Sequence, residues 1–78
     1  MKKDTKIYHD FQKVDNDRCL ILTLNGTLQD LKKNNIQLSE GLRLTFYDDG
    51  IEAGGIVRFN SKIKEWVAEI DWTKIRHV

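Results

Sequence analysis

Apolar positions between Gly41 and Trp72 alternate with polar ones in three runs, 42–48, 54–60 and 63–72, broken by two turn signals. Side chains two apart share one face of a strand, so this stretch predicts a three-stranded antiparallel meander over 42–72. Strand 42–48 is expected against 54–60, with a two-residue turn at Ser61-Lys62 leading into the third strand. That register gathers Leu42, Leu44, Phe46, Val57, Phe59, Trp66, Ala68 and Ile70 on one face. Gly55 falls opposite Phe46 and Ala68, where a missing side chain leaves room for a large neighbour. The other face is expected to carry Arg43, Arg58 and Glu65 in one row, then Thr45, Ile56 and Val67, then Tyr47, Gly54 and Glu69. Ile56 and Val67 interrupt its polarity, so either the rest of the chain or a partner must cover them.

The pattern before the meander is more mixed. Residues 1–6 are charged and predict a frayed end. Ile7, Tyr8, Phe11 and Val14 fit a strand over 7–14, and Asp15-Asn16-Asp17-Arg18 reads as a turn whose side chains bond their own backbone. Residues 19–24 are apolar on both faces, with Leu20, Leu22 and Leu24 opposed to Cys19 and Ile21. Together these predict an N-terminal hairpin over 7–24. Thr27 with Asp30 three residues later resembles a capping box and opens a short helix over 27–34. Leu28 and Leu31 are its docking face, Lys32 and Lys33 suit its negative end, and Asn34-Asn35 can turn left-handed and stop it.

Composition narrows the class. Seventy-eight residues, 40% of them hydrophobic and 32% charged, make one small folded domain without the imbalance of a disordered chain. The net charge is +1, from 13 basic and 12 acidic residues intermixed along the chain, which argues against a dedicated nucleic-acid domain. A single cysteine excludes an internal disulfide and a Cys-rich zinc site, and a reducing cytoplasm is the expected compartment. Lys2-Lys3 is followed by Asp4-Thr5-Lys6 and not by an apolar run, so no export signal is expected. No apolar stretch approaches the roughly 20 residues of a membrane span, and no membrane association is expected.

The chemistry-bearing residues form no catalytic set. His9 and His77 lack the spacing of a metal pair, and His9 is expected on the surface. Cys19 on a two-sided apolar strand reads as a buried structural thiol. Asp48, Asp49 and Glu52 around Gly50 read as a solvated hairpin loop that can also attract a cation or a basic partner. Gly50, Gly54 and Gly55 lack the strand-to-helix setting of a phosphate loop. Phe46, Phe59 and Trp66 are expected in the core, Tyr47 on the outer face. Asp71 is expected to cap a closing 3₁₀ turn, with Trp72 and Ile75 plugging the end of the barrel.

The order strand, strand, short helix, meander, closing turn resembles a small SH3-like β-barrel of about five antiparallel strands with an inserted helix. Gly26-Thr27 with Asp30-Leu31, then Leu38-Ser39-Glu40-Gly41, Tyr47-Asp48-Asp49 and Trp66-Val67-Ala68-Glu69-Ile70-Asp71-Trp72 are similar to a series found in small bacterial proteins of this kind. The resemblance spans about residues 20–76. It implies a fold and brings no catalytic residues, cofactor or metal. SH3-like barrels bind through loops and one sheet face, which implies a non-enzymatic binding module. A monomer is expected, or a weak homodimer formed through Ile56 and Val67. The partner is expected to be a protein, held on the outer face by Arg43, Tyr47, Ile56, Arg58 and Val67, flanked by Asp48, Asp49 and Glu52. The competing expectation is nucleic acid, with Arg43, Arg58, Lys62 and Lys64 on phosphates and Tyr47 stacking on a base.

Overall fold

The computed structural model describes residues 6–77. The fold is mainly β, with one helix on a curled half-barrel sheet that stays open. The strands are β1 (Lys6–Tyr8), β2 (Leu20–Ile21), β3 (Arg43–Asp48), β4 (Ile51–Asn60), β5 (Glu65–Ile70) and β6 (Arg76–His77), with α1 (Asn25–Lys33) between β2 and β3. Their order across the sheet is β1-β3-β4-β5-β2, and β6 continues the line of β5 by pairing with the start of β4.

The meander forms as the alternation requires, and its inward face is the expected one. Leu44, Phe46, Val57, Ala68 and Ile70 are buried in one cluster with Ile7, Phe11, Leu20, Leu22 and Leu31. Its rows differ from expectation. Asp49-Gly50 makes a two-residue turn, with Gly50 at φ +75°, a left-handed conformation that glycine takes without strain. β4 therefore starts at Ile51, and Leu44 faces Gly55, not Val57. The next connection takes four residues, Ser61 to Lys64, so Phe59 faces Trp66. Both pairings are shifted by two residues. A two-residue slip keeps every side chain on its face but changes its neighbours. Gly55 does face large residues: a Cβ built there would lie 2.7 Å from Ile70 Cδ1 and 3.0 Å from the Phe46 ring.

The expected N-terminal hairpin does not form. β1 lies parallel to β3, Ile7 beside Phe46, and β2 lies antiparallel to β5, Leu20 beside Ala68. Only the Val14–Leu20 bridge remains of the hairpin. Lys6 belongs to β1, while the rest of the segment expected to fray lies outside the described residues.

The helix runs from Asn25, so Thr27 is inside it and not its cap; Leu24 precedes it with no side-chain cap. Its end matches expectation. Asn35 is left-handed (φ 56°), Ile36 N–H donates to Leu31 C=O at 2.9 Å, and Asn35 N–H donates to Lys32 C=O at 3.1 Å. This is a Schellman closure, and it brings Ile36 back toward Leu31. Leu31 is buried, whereas Leu28 is exposed and not docked as expected.

Thr27 and Asp30 do other work. Asp30 accepts the Tyr8 N–H at 3.0 Å, and the Thr27 hydroxyl donates to the Tyr8 carbonyl at 2.5 Å. Three residues apart, they share one helix face, so one turn of helix substitutes for a neighbouring strand along the free edge of β1. The same hydroxyl accepts the His9 Nδ1–H at 2.8 Å. His9 is thus fully buried, contrary to the surface position expected for it, with its ring edge-on to Phe46.

Burial holds the His9 imidazole below its ordinary value of 6.5; the nearby Lys13 carbonyl, Asp10 and Asp48 oppose this only in part. The unfolded chain therefore binds a proton that the folded chain refuses. Stability is complete above pH 6.5 and should fall as the pH drops below it. The NMR titration of the His9 ring should have its midpoint below 6.5; a midpoint above that value would mean the ring is not buried as described.

Candidate functional site

Register decides which residues come together. Val67 is only 3% exposed, flanked in register by Ile21 of β2 and Arg58 of β4, and Ile56 is half-buried between Arg43 and Glu69. Strand β2, and not the helix, is what neighbours Val67. The expected apolar pair is therefore not an open patch, and the proposed Arg43–Arg58–Glu65 row is not formed. Arg43 faces Ile56, Arg58 faces Val67, and Glu65 faces Asn60. Arg43 and Arg58 are exposed, as are Lys62 and Lys64 in the β4–β5 turn. Tyr47 is opposite Glu52, six residues along β4 from Arg58. At about 3.3 Å per residue that is roughly 20 Å, so the cations and the tyrosine of the nucleic-acid expectation do not converge.

Tyr47, Asp48, Asp49 and Glu52 do come together, with Tyr8, Lys6 and Gly50, around a hollow of about 560 Å³ at the β3–β4 hairpin. Tyr8 and Tyr47 meet edge to face at 5.8 Å. The polar groups of this hollow are largely engaged within the chain. Glu52, expected in an exposed loop, is on β4 and buried, and it receives Lys6 at 2.7 Å on one oxygen and Arg76 at 2.7 Å on the other. The Lys6 ammonium and then the Arg76 guanidinium hold its carboxyl below the usual range. Asp48 accepts the Asp49 N–H at 2.7 Å and the Phe11 N–H at 3.4 Å. This corner ties β1, β4 and β6 together.

The opposite end of the sheet is different. The last inward pair, Phe59 and Trp66, lies at the margin of the core: Trp66 packs on it half-buried, and the two rings meet edge to face at 5.2 Å. Phe59 is 45% exposed, although the alternation places it in the core. Beside Trp66 opens a groove of about 590 Å³ lined by Leu28, Leu31, Ile36, Leu38 and Trp66, with Lys32, Asn35 and Gln37. The Schellman turn folds Ile36 back toward Leu31, and Ile36, Gln37 and Leu38 after it line the groove. Leu28 and Ile63, also exposed, add to the apolar surface at this end. The nearby edge of β4 is occupied, because the Phe59 N–H donates to the Glu40 carboxylate. This groove, with Phe59, is the candidate site.

The other candidate groups serve the fold. Cys19 is half-buried, and burial, followed by Asp15, Glu69 and Asp17, pushes its thiol up, which makes it a poor nucleophile. For Asp15, burial raises the pKa, but bonds from Cys19, Asp17 and Asn60 outweigh it, and the net shift is downward. Asp71 caps the 3₁₀ turn Trp72–Lys74 as expected, accepting from the Thr73 hydroxyl and N–H. Trp72 and Ile75 pack on the core, with Trp72 edge-on to Phe11, under Arg18, and donating to the Arg18 carbonyl. Asp15, Glu52 and Asp71 all titrate below their ordinary values of 3.8–4.5, so a second loss of stability is expected as the pH falls beneath that range. An acid-unfolding curve measured by circular dichroism should show it separately from the His9 window.

Among the described residues no group of three or more His, Cys, Asp and Glu is placed to hold a metal ion, and no helix is long and apolar enough to cross a membrane. Comparison with protein-family models, with curated proteins and with solved structures finds no match.

Proposed function

We propose that this chain is a non-enzymatic protein-binding module and that its contact surface is the groove between α1 and Trp66. One observation carries the reading: a largely apolar groove opens to solvent beside Trp66, and the exposed Phe59 ring packs edge-on against that same tryptophan. Apolar surface of this kind is costly to leave in water and is characteristic of interaction sites. Aromatic residues are the commonest energetic anchors of such sites. The groove falls within the 300–1,000 Å³ range of ordinary binding pockets. The proposal keeps the SH3-like resemblance, a meander preceded by a helix, with the sheet left open between β1 and β2. It moves the contact surface from the outer face, where Val67 is buried and Glu52 is paired, to the open end of the half-barrel.

A displayed library of random peptides, panned on the full chain, should yield binders that lose about tenfold or more in affinity against Leu28→Asp. Leu28 is exposed, so this variant should stay within about 0.5 kcal/mol of the wild type in stability. Tyr47→Ala, at the other end of the sheet, should leave the binders unaffected. Binders that depend on Tyr47 and ignore Leu28, or a library that yields none, would refute this placement.

A further inference from the structure

We infer that the occupant of the groove is an acidic amphipathic helix of another protein. This rests on the protein-binding reading and specifies the partner by two features of the site. The first is charge. Lys32 lines the groove and Lys33 follows it at the negative end of α1. Lys62 and Lys64 are exposed in the turn that joins the strands of Phe59 and Trp66. Three carboxylates are near these four lysines in the chain, and the first, Asp30, is turned toward β1, where it accepts the Tyr8 N–H. Glu40 is bound to the Phe59 N–H, and Glu65 alternates with Trp66 and so belongs to the outer face. The one charged residue lining the groove is thus a cation, Lys32, and the exposed Lys62 and Lys64 add to it from the β4–β5 turn, in a chain whose net charge is only +1. A second copy of this chain would bring lysines against lysines, so charge disfavours self-association through this face.

The second feature is the backbone. An extended peptide gains affinity by adding to a free sheet edge. Here the Phe59 N–H on the edge of β4 is taken by Glu40, and the Trp66 carbonyl on the edge of β5 is taken by the Leu22 N–H. The site thus offers apolar contacts and cations in place of strand edges. A helix suits it, because its backbone is satisfied internally and its side chains supply the anchors. Leucines spaced i, i+3 or i+4, and i+7 would enter beside Trp66, and carboxylates on the flanks would meet the lysines.

Three synthetic peptides about four turns long test this by titration against the full chain. All carry the same leucine face. One has Glu on its flanks, the second has Lys, and the third is the Glu peptide with a central Pro that breaks the helix. Trp66 fluorescence reports binding, with Trp72→Phe removing the other tryptophan signal. The Glu peptide should bind about tenfold tighter than the Lys peptide at low salt. That preference should shrink at high salt and in Lys32→Glu/Lys64→Glu. The Pro peptide should bind more weakly than its parent. Equal affinity for the Glu and Lys peptides, with both lost in Leu28→Asp, would overturn the acidic partner while leaving the groove reading intact. Full binding of the Pro peptide would overturn the helical form. Binding of none, or binding that ignores Leu28→Asp, would overturn the groove reading as well.

Discussion

Thr27→Val should lower stability by roughly 2–4 kcal/mol, although it changes the volume of the side chain very little. The Thr27 hydroxyl donates to the Tyr8 carbonyl and accepts from His9 Nδ1. Valine leaves both partners without a bond, in a place where Thr27 and His9 are fully buried. A buried group that loses its partner costs about 1–3 kcal/mol, and here there are two. Helix propensity cannot account for the loss, since Thr and Val rank together. Thr27→Ser keeps the hydroxyl, gives up one methyl, and should cost only about 1 kcal/mol. Urea unfolding should show the midpoint falling in the order wild type, Ser, Val at a constant slope. A Val variant as stable as the Ser variant would mean that the hydroxyl joins nothing of consequence.

That network also shows where the sequence is readable and where it is not. The partners of Thr27 lie 18 and 19 residues away, on a strand that the local pattern assigns to a hairpin with 18–24. A parallel pairing of β1 with β3 leaves no local signature, because nothing near residues 6–8 encodes residues 45–47. A usable signal for His9 does exist. Ile7, His9 and Phe11 alternate and all are buried, so the period of two already pointed the imidazole inward. Only the polarity of the imidazole argues against that period. Thr27 and Asp30 were legible as a pair on one helix face; only their use as an edge cap, and not as an N-cap box, depended on tertiary context.

The candidate site divides in the same way. Alternation assigned Phe46, Phe59 and Trp66 to one face correctly. It carries no information about where the core ends along that face. The two-residue shift of both pairings, set by the Gly50 turn and the longer Ser61–Lys64 connection, moves Phe59 opposite Trp66 at the margin of the core. The same shift breaks the Arg43–Arg58 row and places Glu52 in register with both Tyr47 and Arg76. The groove needs the Schellman turn in contact range of β5, a meeting of residues about 30 apart, and only the folded chain displays it.

Gly55→Ala should destabilise by roughly 1–2 kcal/mol, and Ile70→Val should largely relieve it. Adding a Cβ normally favours a strand by reducing the freedom of the unfolded chain, worth about 0.4–1 kcal/mol. At Gly55 the new carbon would sit 2.7 Å from Ile70 Cδ1 and 3.0 and 3.2 Å from two carbons of the Phe46 ring. Phe46 is fully buried and cannot retreat, so the overpacking term of about 1–3 kcal/mol prevails. Valine at position 70 lacks the Cδ1 that makes the closest contact. Alone, that change should cost about 0.5–1.5 kcal/mol. Combined with Gly55→Ala it should cost less than the sum, with a coupling of about 1 kcal/mol that a double-mutant cycle would read. Gly54 is the internal control. It points outward, and a Cβ there meets nothing within 4 Å. Gly54→Ala should therefore be neutral or slightly stabilising. Simple additivity between positions 55 and 70, or equal losses at 54 and 55, would mean that Gly55 is not the close-packed crossing that fixes β4 against β3 and β5.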